Sequence, residues 1–363
     1  MTETIDRSEE KQLLRVAREG SEDAFRSLVE ARRKELHAHC YRMLASLDDA
    51  DDAVQETFLR AWKGLGSFEG RSSVRTWLFK IATNVALKIS SRRARRELPV
   101  SFCSPGGLGE EPGRPRTEIP WVGPYPGPQG SALHDIVDRD QPEARFAAYE
   151  TIELAYVAAL QYLSVHQRAV FVLREALDFS ATETADILDT TVAAVNSALQ
   201  RARAYISDRL PAVSQASELS RLGDVSVRAL AARYARAIEQ ADLDSLLGLL
   251  TEDASWSMPP LAVWYRGKRD VGRFLREDVL PERWLHRTSW ANGQLAVAGY
   301  LFDPEHDHFV SAALDVLELR EGRIAAVTGF LQLAATGLDG RDPTSASLSK
   351  FSRFGLPEHV QAY

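Results

Sequence analysis

The sequence has only two cysteines in 363 residues, Cys40 and Cys103. One lies in a segment with helical periodicity and the other in a Pro/Gly-rich segment, so neither a disulfide framework nor a cysteine-based zinc site is expected. Apolar runs long enough to cross a bilayer are missing too, and residues 1–12 do not have the cationic start and apolar core of a signal peptide. We therefore expect a cytoplasmic protein with no membrane partner, no metal and no other cofactor.

Acidic residues are absent from residues 71–96, although the whole chain has a formal net charge of −7. The segment contains eight cations: Arg71, Arg75, Lys80, Lys88, Arg92, Arg93, Arg95 and Arg96. Such a stripe can neutralise phosphates, while Phe68, Trp77 and Phe79 offer faces on which an unstacked base can lie. The alternative is that the aromatic residues belong to a core and the cations form a solvated face.

Proline and glycine are concentrated in residues 98–145, which hold nine of the sixteen prolines and seven of the 22 glycines. So many breakers predict a flexible linker rather than a packed element. The phrase "PWVGPYPGP" inside it has two interpretations. It is either a polyproline segment docked through Trp121 and Tyr125 or plain disorder.

The segments on either side of this linker predict separate domains. Apolar residues recur every three to four positions in residues 10–97 and 146–210, which predicts two all-α domains. After a junction at residues 211–224, one amphipathic helix over about 225–250 is followed by alternating runs such as "QLAVAGYLF" and "FVSAALDVLELR". This pattern predicts an α+β domain over residues 224–335. Residues 336–363 resemble a loosely held tail.

A helix-turn-helix is predicted near the end of the second helical block. Ser180 and Glu183 form a capping box for a short helix to Leu188, and Thr191 can cap a longer helix from Val192. The exposed side of the longer helix carries side chains that can bond base edges or phosphates, namely Asn196, Ser197, Gln200, Arg201 and Arg203. A plain helical hairpin with a solvated basic face is the alternative.

Three phrases in order, "DADDAVQETFLRAW", "FEGRSSVRTWLFKIATN" and "LSVHQRAVFVLREALDFSATETADIL…VNSALQRAR", resemble the extracytoplasmic-function (ECF) sigma factors of bacterial RNA polymerase. The resemblance implies a sigma domain 2 over residues 10–97, which binds core polymerase and the −10 element. It also implies a sigma domain 4 over residues 146–210, whose helix-turn-helix binds the −35 element. The implied partners are promoter DNA and core RNA polymerase, through the β′ coiled coil and the β flap.

The resemblance also implies roles for individual residues. Core polymerase is expected to contact Asp52, Gln55, Glu56 and Arg60. The −10 element is expected to lie near Phe68, Glu69, Arg71, Ser72, Arg75, Asn84, Lys88, Arg92 and Arg93. The −35 element is expected to contact Asn196, Ser197, Gln200, Arg201 and Arg203. Asp189 stands where the turn of the helix-turn-helix usually has glycine, and the turn should survive because aspartate tolerates a left-handed backbone.

Residues 224–335 extend beyond the point at which minimal members of this family end. Their order of elements and the phrase "MPPLAVWYRG" resemble the SnoaL-like α+β cone shared with ketosteroid isomerases and NTF2-like proteins. The cone either encloses an apolar pocket or is filled by its own aromatic residues. The candidate lining residues are Trp256, Met258, Trp264, Tyr265, Phe274, Trp290, Phe309 and Phe330. The resemblance implies a fused regulatory domain that biases the chain between a compact and a polymerase-competent arrangement. A small-molecule ligand could shift this balance only if it bound the two arrangements with different affinity.

Two other functions stay open at this stage. A SnoaL-type isomerase or cyclase tethered to a DNA-binding module would need a buried carboxylate or histidine in the pocket. The residues available are His286, Asp303, His306, His308 and Asp315. No acid–base pair stands out among them, so an enzyme is not expected. A repressor that reads DNA with domain 4 alone is disfavoured by the polymerase-facing residues Asp52 and Gln55.

Overall fold

The computed structural model describes residues 7–106, 113–127, 152–332 and 350–362, and the chain forms two compact units. Unit 1 takes its described residues from Met1–Arg95 and Val157–Leu210, and unit 2 from Arg96–Tyr156 and Pro211–Tyr363. The expectations for the middle of the linker, for the first residues of domain 4 and for most of the tail fall outside the described residues. Within those ranges, no helix combines the length and apolarity needed to cross a bilayer.

The helices are named in chain order. They are α1 (Arg7–Arg18), α2 (Glu22–Glu30), α3 (Arg33–Leu44), α4 (Leu47–Gly64), α5 (Val74–Ser90), α6 (Pro99–Phe102), α7 (Leu154–Leu160), α8 (Val165–Phe171), α9 (Ala181–Ile187), α10 (Val192–Ser207), α11 (Gln215–Glu239), α12 (Leu243–Leu249) and α13 (Gly267–Phe274). Turns of π-helix extend α8 over Val172–Ala176 and α13 over Leu275–Val279.

Serine caps set the starts of the helices in the first block. The hydroxyls of Ser21, Ser46 and Ser73 each accept a hydrogen bond from the backbone N–H three residues later, at the first turns of α2, α4 and α5. Ala45 has a left-handed backbone, with φ of 52°, and this lets α3 end and the chain turn into α4. These helices bury one continuous core, which includes Leu36, Cys40, Met43, Leu78 and Phe79.

The helix-turn-helix has the elements that the sequence predicts. The Ser180 hydroxyl accepts from the Glu183 N–H, and the Glu183 side chain accepts from the Ser180 N–H, so the capping box is confirmed. The Thr191 hydroxyl accepts from the Ala194 N–H at the start of α10. Between the two helices Asp189 has a φ of 48°, so the turn is formed with aspartate in the left-handed region.

The two helical blocks share buried contacts inside unit 1. The buried guanidinium of Arg168 in α8 donates to the carbonyl oxygens of Met43 (2.5 Å), Leu160 (2.9 Å) and Gln161 (3.0 Å). Every one of these acceptors is uncharged, and burial lowers the pKa of Arg168 to about 10. Since Met43 lies in the buried last turn of α3, this arginine ties the second block directly to the first.

Unit 2 is built on one mixed sheet. Its strands are β1 (Leu250–Ser257), β2 (Trp264–Arg266), β3 (Trp284–Ala291), β4 (Gln294–Asp303), β5 (His308–Arg320), β6 (Arg323–Leu331) and β7 (His359–Gln361). The order is β2-β1-β6-β5-β4-β3, with β7 paired to β5. Only the β1–β6 pair is parallel among these pairs of described strands. The predicted α+β cone is therefore present.

The helix predicted over about residues 225–250 begins where expected but ends earlier. Helix α11 is kinked at Gly223, which has a φ of 73° and a ψ of 158°, and the part after the kink ends at Glu239. Ala241 then has a φ of 53°, and the Asp242 side chain caps α12 by accepting from the Ser245 N–H. A cap signal of this kind, in "ADLDS", outweighs the unbroken apolar periodicity on which the prediction rested.

The described end of the chain is packed rather than loosely held. Strand β7 pairs with β5 through residues 308–310, and the ring of Phe351, which is fully buried, lies edge-on to Tyr300 at 5.1 Å. The Tyr300 hydroxyl donates to the carbonyl of Pro357 at 3.0 Å. Strands β4 and β5 are buried without alternation over residues 294–300 and 311–317.

The described part of the predicted linker also belongs to unit 2. The indole N–H of Trp264 donates to the Cys103 carbonyl at 2.9 Å, and the Gly106 N–H donates to the Trp264 carbonyl at 2.7 Å. Further along, Trp121 is only 2% exposed and its indole donates to the Arg116 carbonyl. Of the two interpretations of "PWVGPYPGP", docking is the one found over the described residues 120–127.

Candidate functional sites

Helix α4 presents a polar stripe with one apolar residue in the middle. Asp52 and Gln55 are exposed, and Glu56 accepts from the Arg60 Nε at 2.6 Å. Leu59 is 57% exposed and lies one helical turn after Gln55 on the same stripe. We call these five residues the α4 face. Leu59 was not predicted from the sequence. Its position along the helix does not match that of the buried residues Val54, Thr57 and Ala61, and this mismatch was the available signal that Leu59 is exposed.

The loop before α5 separates the residues expected near the −10 element. Glu69, Arg71 and Ser72 are exposed. Phe68 is 7% exposed, and its ring stacks on Trp77 with centroids 4.6 Å apart. In this structure Phe68 is therefore part of the packed interior and not an open stacking face, because an aromatic ring in this loop gains more from covering Trp77 than from facing water.

Helix α5 carries both exposed and engaged cations. Asn84 and Lys88 are exposed on one stripe that also includes Lys80. Arg75 is only partly exposed, and its Nε donates to Glu35 Oε1 at 2.9 Å. Beyond the helix, Arg92 is exposed and Arg93 forms an ion pair with Asp49. Lys80, Asn84 and Lys88 thus form one stripe, which we call the α5 stripe, whereas Arg75 is mostly covered.

The recognition helix α10 has the face that the sequence predicts. Its buried residues are Val195, Leu199, Ala202 and Ile206. The five candidates on the opposite side, Asn196, Ser197, Gln200, Arg201 and Arg203, are all exposed. Arg201 donates to the Ser197 hydroxyl at 2.6 Å, and Arg203 pairs with Glu175 at 2.8 Å. These bonds are local and exposed, so a nucleic-acid ligand could replace them at small cost.

The candidate pocket residues of the cone divide into two groups. Trp256, Met258, Tyr265 and Phe274 belong to one buried cluster, and Trp290 packs against it. The other three, Trp264, Phe309 and Phe330, are buried elsewhere in the unit. Trp264 follows the alternation of β2, which turns it to the side opposite Tyr265 and toward Cys103. The cluster is held by ring contacts such as Tyr265 on Phe274 at 4.7 Å.

A buried polar pair that sequence reasoning did not find lies within this cluster. The hydroxyl of Tyr234 in α11 donates to Asp315 Oδ2 in β5 at 2.8 Å, and both residues are buried. Burial raises the pKa of Asp315 to about 6, opposed by the Tyr234 hydrogen bond and by nearby His286. Burial and the adjacent carboxylate raise the pKa of Tyr234 well above its usual value, so tyrosine remains the donor.

Two features of the fold explain why this pair is hard to read from the sequence. Strand β5 is buried on both faces, so apolar and polar residues do not alternate along it. The sequence therefore does not indicate toward which face of the sheet Asp315 points. The room for the carboxylate comes from Gly329 on β6, directly opposite in the register, where a Cβ would lie 2.7 Å from Asp315 Oδ1. A glycine in a strand was the available signal of such a close approach.

A second polar site joins both ends of the connector to the sheet. The buried side chain of Asn292 accepts from the Tyr125 N–H (2.9 Å) and donates to the Ile152 carbonyl (2.8 Å). Next to it, Gln294 Oε1 accepts from the Leu154 N–H at 2.8 Å. We call Asn292 and Gln294 the linker clamp. Asn292 itself has a φ of 55°, in the β3–β4 turn.

Comparison with family models matches three parts of the chain. Residues 28–97 match Sigma-70 region 2, residues 153–206 match Sigma-70 region 4, and residues 231–327 match the SnoaL-like domain. The order of these matches along the chain is the one expected from the sequence motifs.

Curated proteins and a solved structure extend the similarity. The chain is 38% identical over 340 residues to the ECF RNA polymerase sigma factor SigG of Mycobacterium tuberculosis, covering 93% of this chain and 85% of SigG. It is 26% identical over 202 residues to the ECF RNA polymerase sigma factor SigW of Bacillus subtilis, covering 55% and 96%. The crystal structure of M. tuberculosis SigJ, an extracytoplasmic function sigma factor, shares this fold with 20% identity and a TM-score of 0.55, covering 87% and 99%.

Proposed function

Since the chain belongs to the ECF sigma factors of bacterial RNA polymerase, we propose that its C-terminal SnoaL-like domain regulates promoter recognition by holding the connector between the two DNA-reading domains. The α4 face would bind core polymerase, the exposed part of the segment from Glu69 to Arg93 would bind the −10 element, and the exposed side of α10 would bind the −35 element. The observation that carries the regulatory role is the linker clamp, in which one asparagine side chain bonds Tyr125 and Ile152.

The clamp matters because of the reach that promoter binding requires. Elements about twenty base pairs apart are separated by roughly 70 Å of duplex. The 26 residues between Tyr125 and Ile152 would span about 90 Å when fully extended. With both of their ends bonded to Asn292, these residues add nothing to the distance that the connector can cover. Release of the clamp restores that length, so the clamped state should be less active.

The sharpest test leaves the whole chain in place. Asn292→Gly keeps the left-handed backbone and the Asn292 N–H bond to the Tyr125 carbonyl, and it removes both side-chain hydrogen bonds. Because the Ile152 end then loses its bond to residue 292, we expect transcription with core polymerase from a pool of randomised promoters to rise about three- to tenfold. Asp307→Gly is the matched control, because Asp307 also has a left-handed φ, 50°, but is exposed in a turn of the same domain. A fall in transcription would show that the domain supports the active arrangement.

A point variant is preferable to truncation after Leu210. Trp121 and Val122 are 2% and 0% exposed because they pack within unit 2. A chain without residues 211–363 would lose much of that cover and gain a new apolar surface in the connector. A change in its activity would then report aggregation as readily as regulation.

The recognition helix gives a second prediction. Arg201→Ala should weaken binding of the holoenzyme to −35 duplexes by about 1–3 kcal/mol, because an exposed arginine on α10 can contact a guanine edge with two hydrogen bonds. The probes are duplexes enriched from a randomised pool by the wild-type holoenzyme, and the measurement is a footprint titration at fixed salt. Arg209→Ala, just beyond the end of α10, is the control. An unchanged footprint for Arg201→Ala would remove it from the −35 interface.

Acid–base catalysis in the cone is a second candidate function, and the Tyr234–Asp315 pair is the observation that favours it. A buried carboxylate with a pKa of about 6 next to a tyrosine donor is suited to moving a proton beside a carbonyl group. We propose that the pair is structural here, since Gly329 closes on the carboxylate, with a Cβ position only 2.7 Å from Asp315 Oδ1. Loss of deuterium from the α-carbon of a cyclic ketone, abolished by Asp315→Asn, would establish the catalytic alternative instead.

A further inference from the structure

Lys80, on the α5 stripe, is bonded to the turn of the helix-turn-helix within unit 1. Its Nζ donates to Asp189 Oδ1 at 2.6 Å and to the Asp186 carbonyl at 2.7 Å. Asn84 and Lys88 continue the same stripe and are exposed. Lys80 is therefore the residue of this stripe whose ammonium group binds the second helical block.

The residue that binds Lys80 has a backbone conformation that its side chain does not favour. Asp189 has a φ of 48°, in the left-handed region that glycine would adopt without strain. Its side chain is 72% exposed and makes no buried contact, so packing does not account for an aspartate there. The ion pair with Lys80 does account for it, because glycine has no group that could accept the bond.

Arg75 is covered by the same block one turn earlier on α5. Its guanidinium donates to the Leu177 carbonyl at 3.1 Å and lies 4.2 Å from the centroid of the Phe179 ring. Phe179 also contacts Phe79 edge-on at 5.2 Å. Leu177 and Phe179 thus contact Arg75, which also pairs with Glu35, while Asp186 and Asp189 bind Lys80. These are two cations of α5 that a melted strand would need.

We propose that Asp189 and Lys80 form a latch that keeps promoter-binding helix α5 against the helix-turn-helix, and that Lys80 exchanges Asp189 for a DNA phosphate when the promoter is bound. This inference rests on the proposed function, because it assigns Lys80 to the same DNA surface as Asn84 and Lys88. A carboxylate imitates a phosphate as a partner for lysine, so the closed arrangement and the DNA compete for one ammonium group. The latch is independent of the linker clamp, which lies in unit 2.

The test compares full-length variants that change the left-handed residue alone. Asp189→Gly removes the latch and keeps the turn, while Asp178→Gly is the matched control, since Asp178 has a φ of 54° and is exposed. We expect Asp189→Gly to give about two- to fivefold more transcript than the control from a randomised promoter pool with core polymerase at low salt. The gain should shrink as salt increases, because exposed ion pairs are screened.

A third variant tests the exchange of partners. Lys80→Ala also opens the latch but removes the phosphate contact, so its transcription should stay below that of Asp189→Gly. Equal activity of these two variants would overturn the exchange. Equal activity of Asp189→Gly and Asp178→Gly would overturn the latch.

Hydrogen exchange separates failure of this inference from failure of the proposed function. In the free protein, Asp189→Gly should speed amide exchange in residues 186–191 relative to Asp178→Gly, whatever the polymerase does. If the wild type produces no transcripts, the proposed function fails, and the exchange rates still decide whether the latch exists. Identical exchange in the two glycine variants would contradict it.

Discussion

Replacement of Asp52 and Gln55 by alanine is expected to weaken binding of the chain to core RNA polymerase about 100-fold. Both side chains are exposed on the α4 face in the two turns before Leu59, an apolar residue that a partner surface would cover. Polar residues around an apolar anchor are the usual pattern of a binding hot spot, and loss of two such contacts costs about 2–3 kcal/mol. Titration of labelled chain with core polymerase measures the effect directly.

The control for this prediction removes the same residue classes elsewhere. Gln12→Ala with Glu22→Ala takes one amide and one carboxylate from exposed positions on α1 and α2. Both double variants should unfold like the wild type, because none of the four side chains is buried. If the two double variants bind core polymerase equally well, the α4 face is not the docking surface.

Asp315→Asn is expected to stabilise the chain at neutral pH by up to about 3 kcal/mol. The folded protein favours protonated Asp315, with a pKa of about 6 against an ordinary value of 3.8. The stability that this group contributes is therefore complete below about pH 4 and is lost as pH rises through about 6. Asparagine stays neutral and still accepts the Tyr234 hydrogen bond, so the variant avoids that loss.

Denaturant unfolding at a series of pH values tests this prediction. The difference in unfolding free energy between Asp315→Asn and the wild type should grow from pH 4 to pH 7 and then level off. Tyr234, through its hydrogen bond, and His286, through its charge, act on this carboxyl and oppose the rise in its pKa. Asp307→Asn, an exposed carboxylate of the same domain, is the control and should leave the slope unchanged. A difference that does not vary with pH would mean that Asp315 is already ionised at no cost.

The helix-turn-helix was predictable because its signals are local. Ser180, Glu183 and Thr191 are caps that act within three residues, and they fixed both helices to within a residue. The exposed side of α10 followed from the periodicity of one helix. In contrast, Phe68 was read as available to DNA, and whether it faces a base or Trp77 depends on a tertiary contact that periodicity does not encode.

The features of unit 2 that the sequence did not reveal depend on partners far along the chain. Asp315 needs Tyr234 from α11 and space at Gly329, and Asn292 joins Tyr125 to Ile152. Composition marked residues 98–145 as a linker, because so many prolines and glycines disfavour long helices and strands whether or not the segment is docked. The same composition is compatible with the close approach of Gly127 to Trp290, where a Cβ would lie 2.8 Å from the tryptophan Cβ.

Transcription by core polymerase from a randomised promoter pool tests the central claim most directly. With the wild-type chain added, sequenced transcripts should share two upstream elements about twenty base pairs apart, and Asn292→Gly should raise their yield without changing those elements. Asp52→Ala with Gln55→Ala should reduce the yield toward that of core polymerase alone. Transcripts no more frequent than with core polymerase alone would contradict promoter recognition, and an unchanged yield from Asn292→Gly would contradict its control by the C-terminal domain.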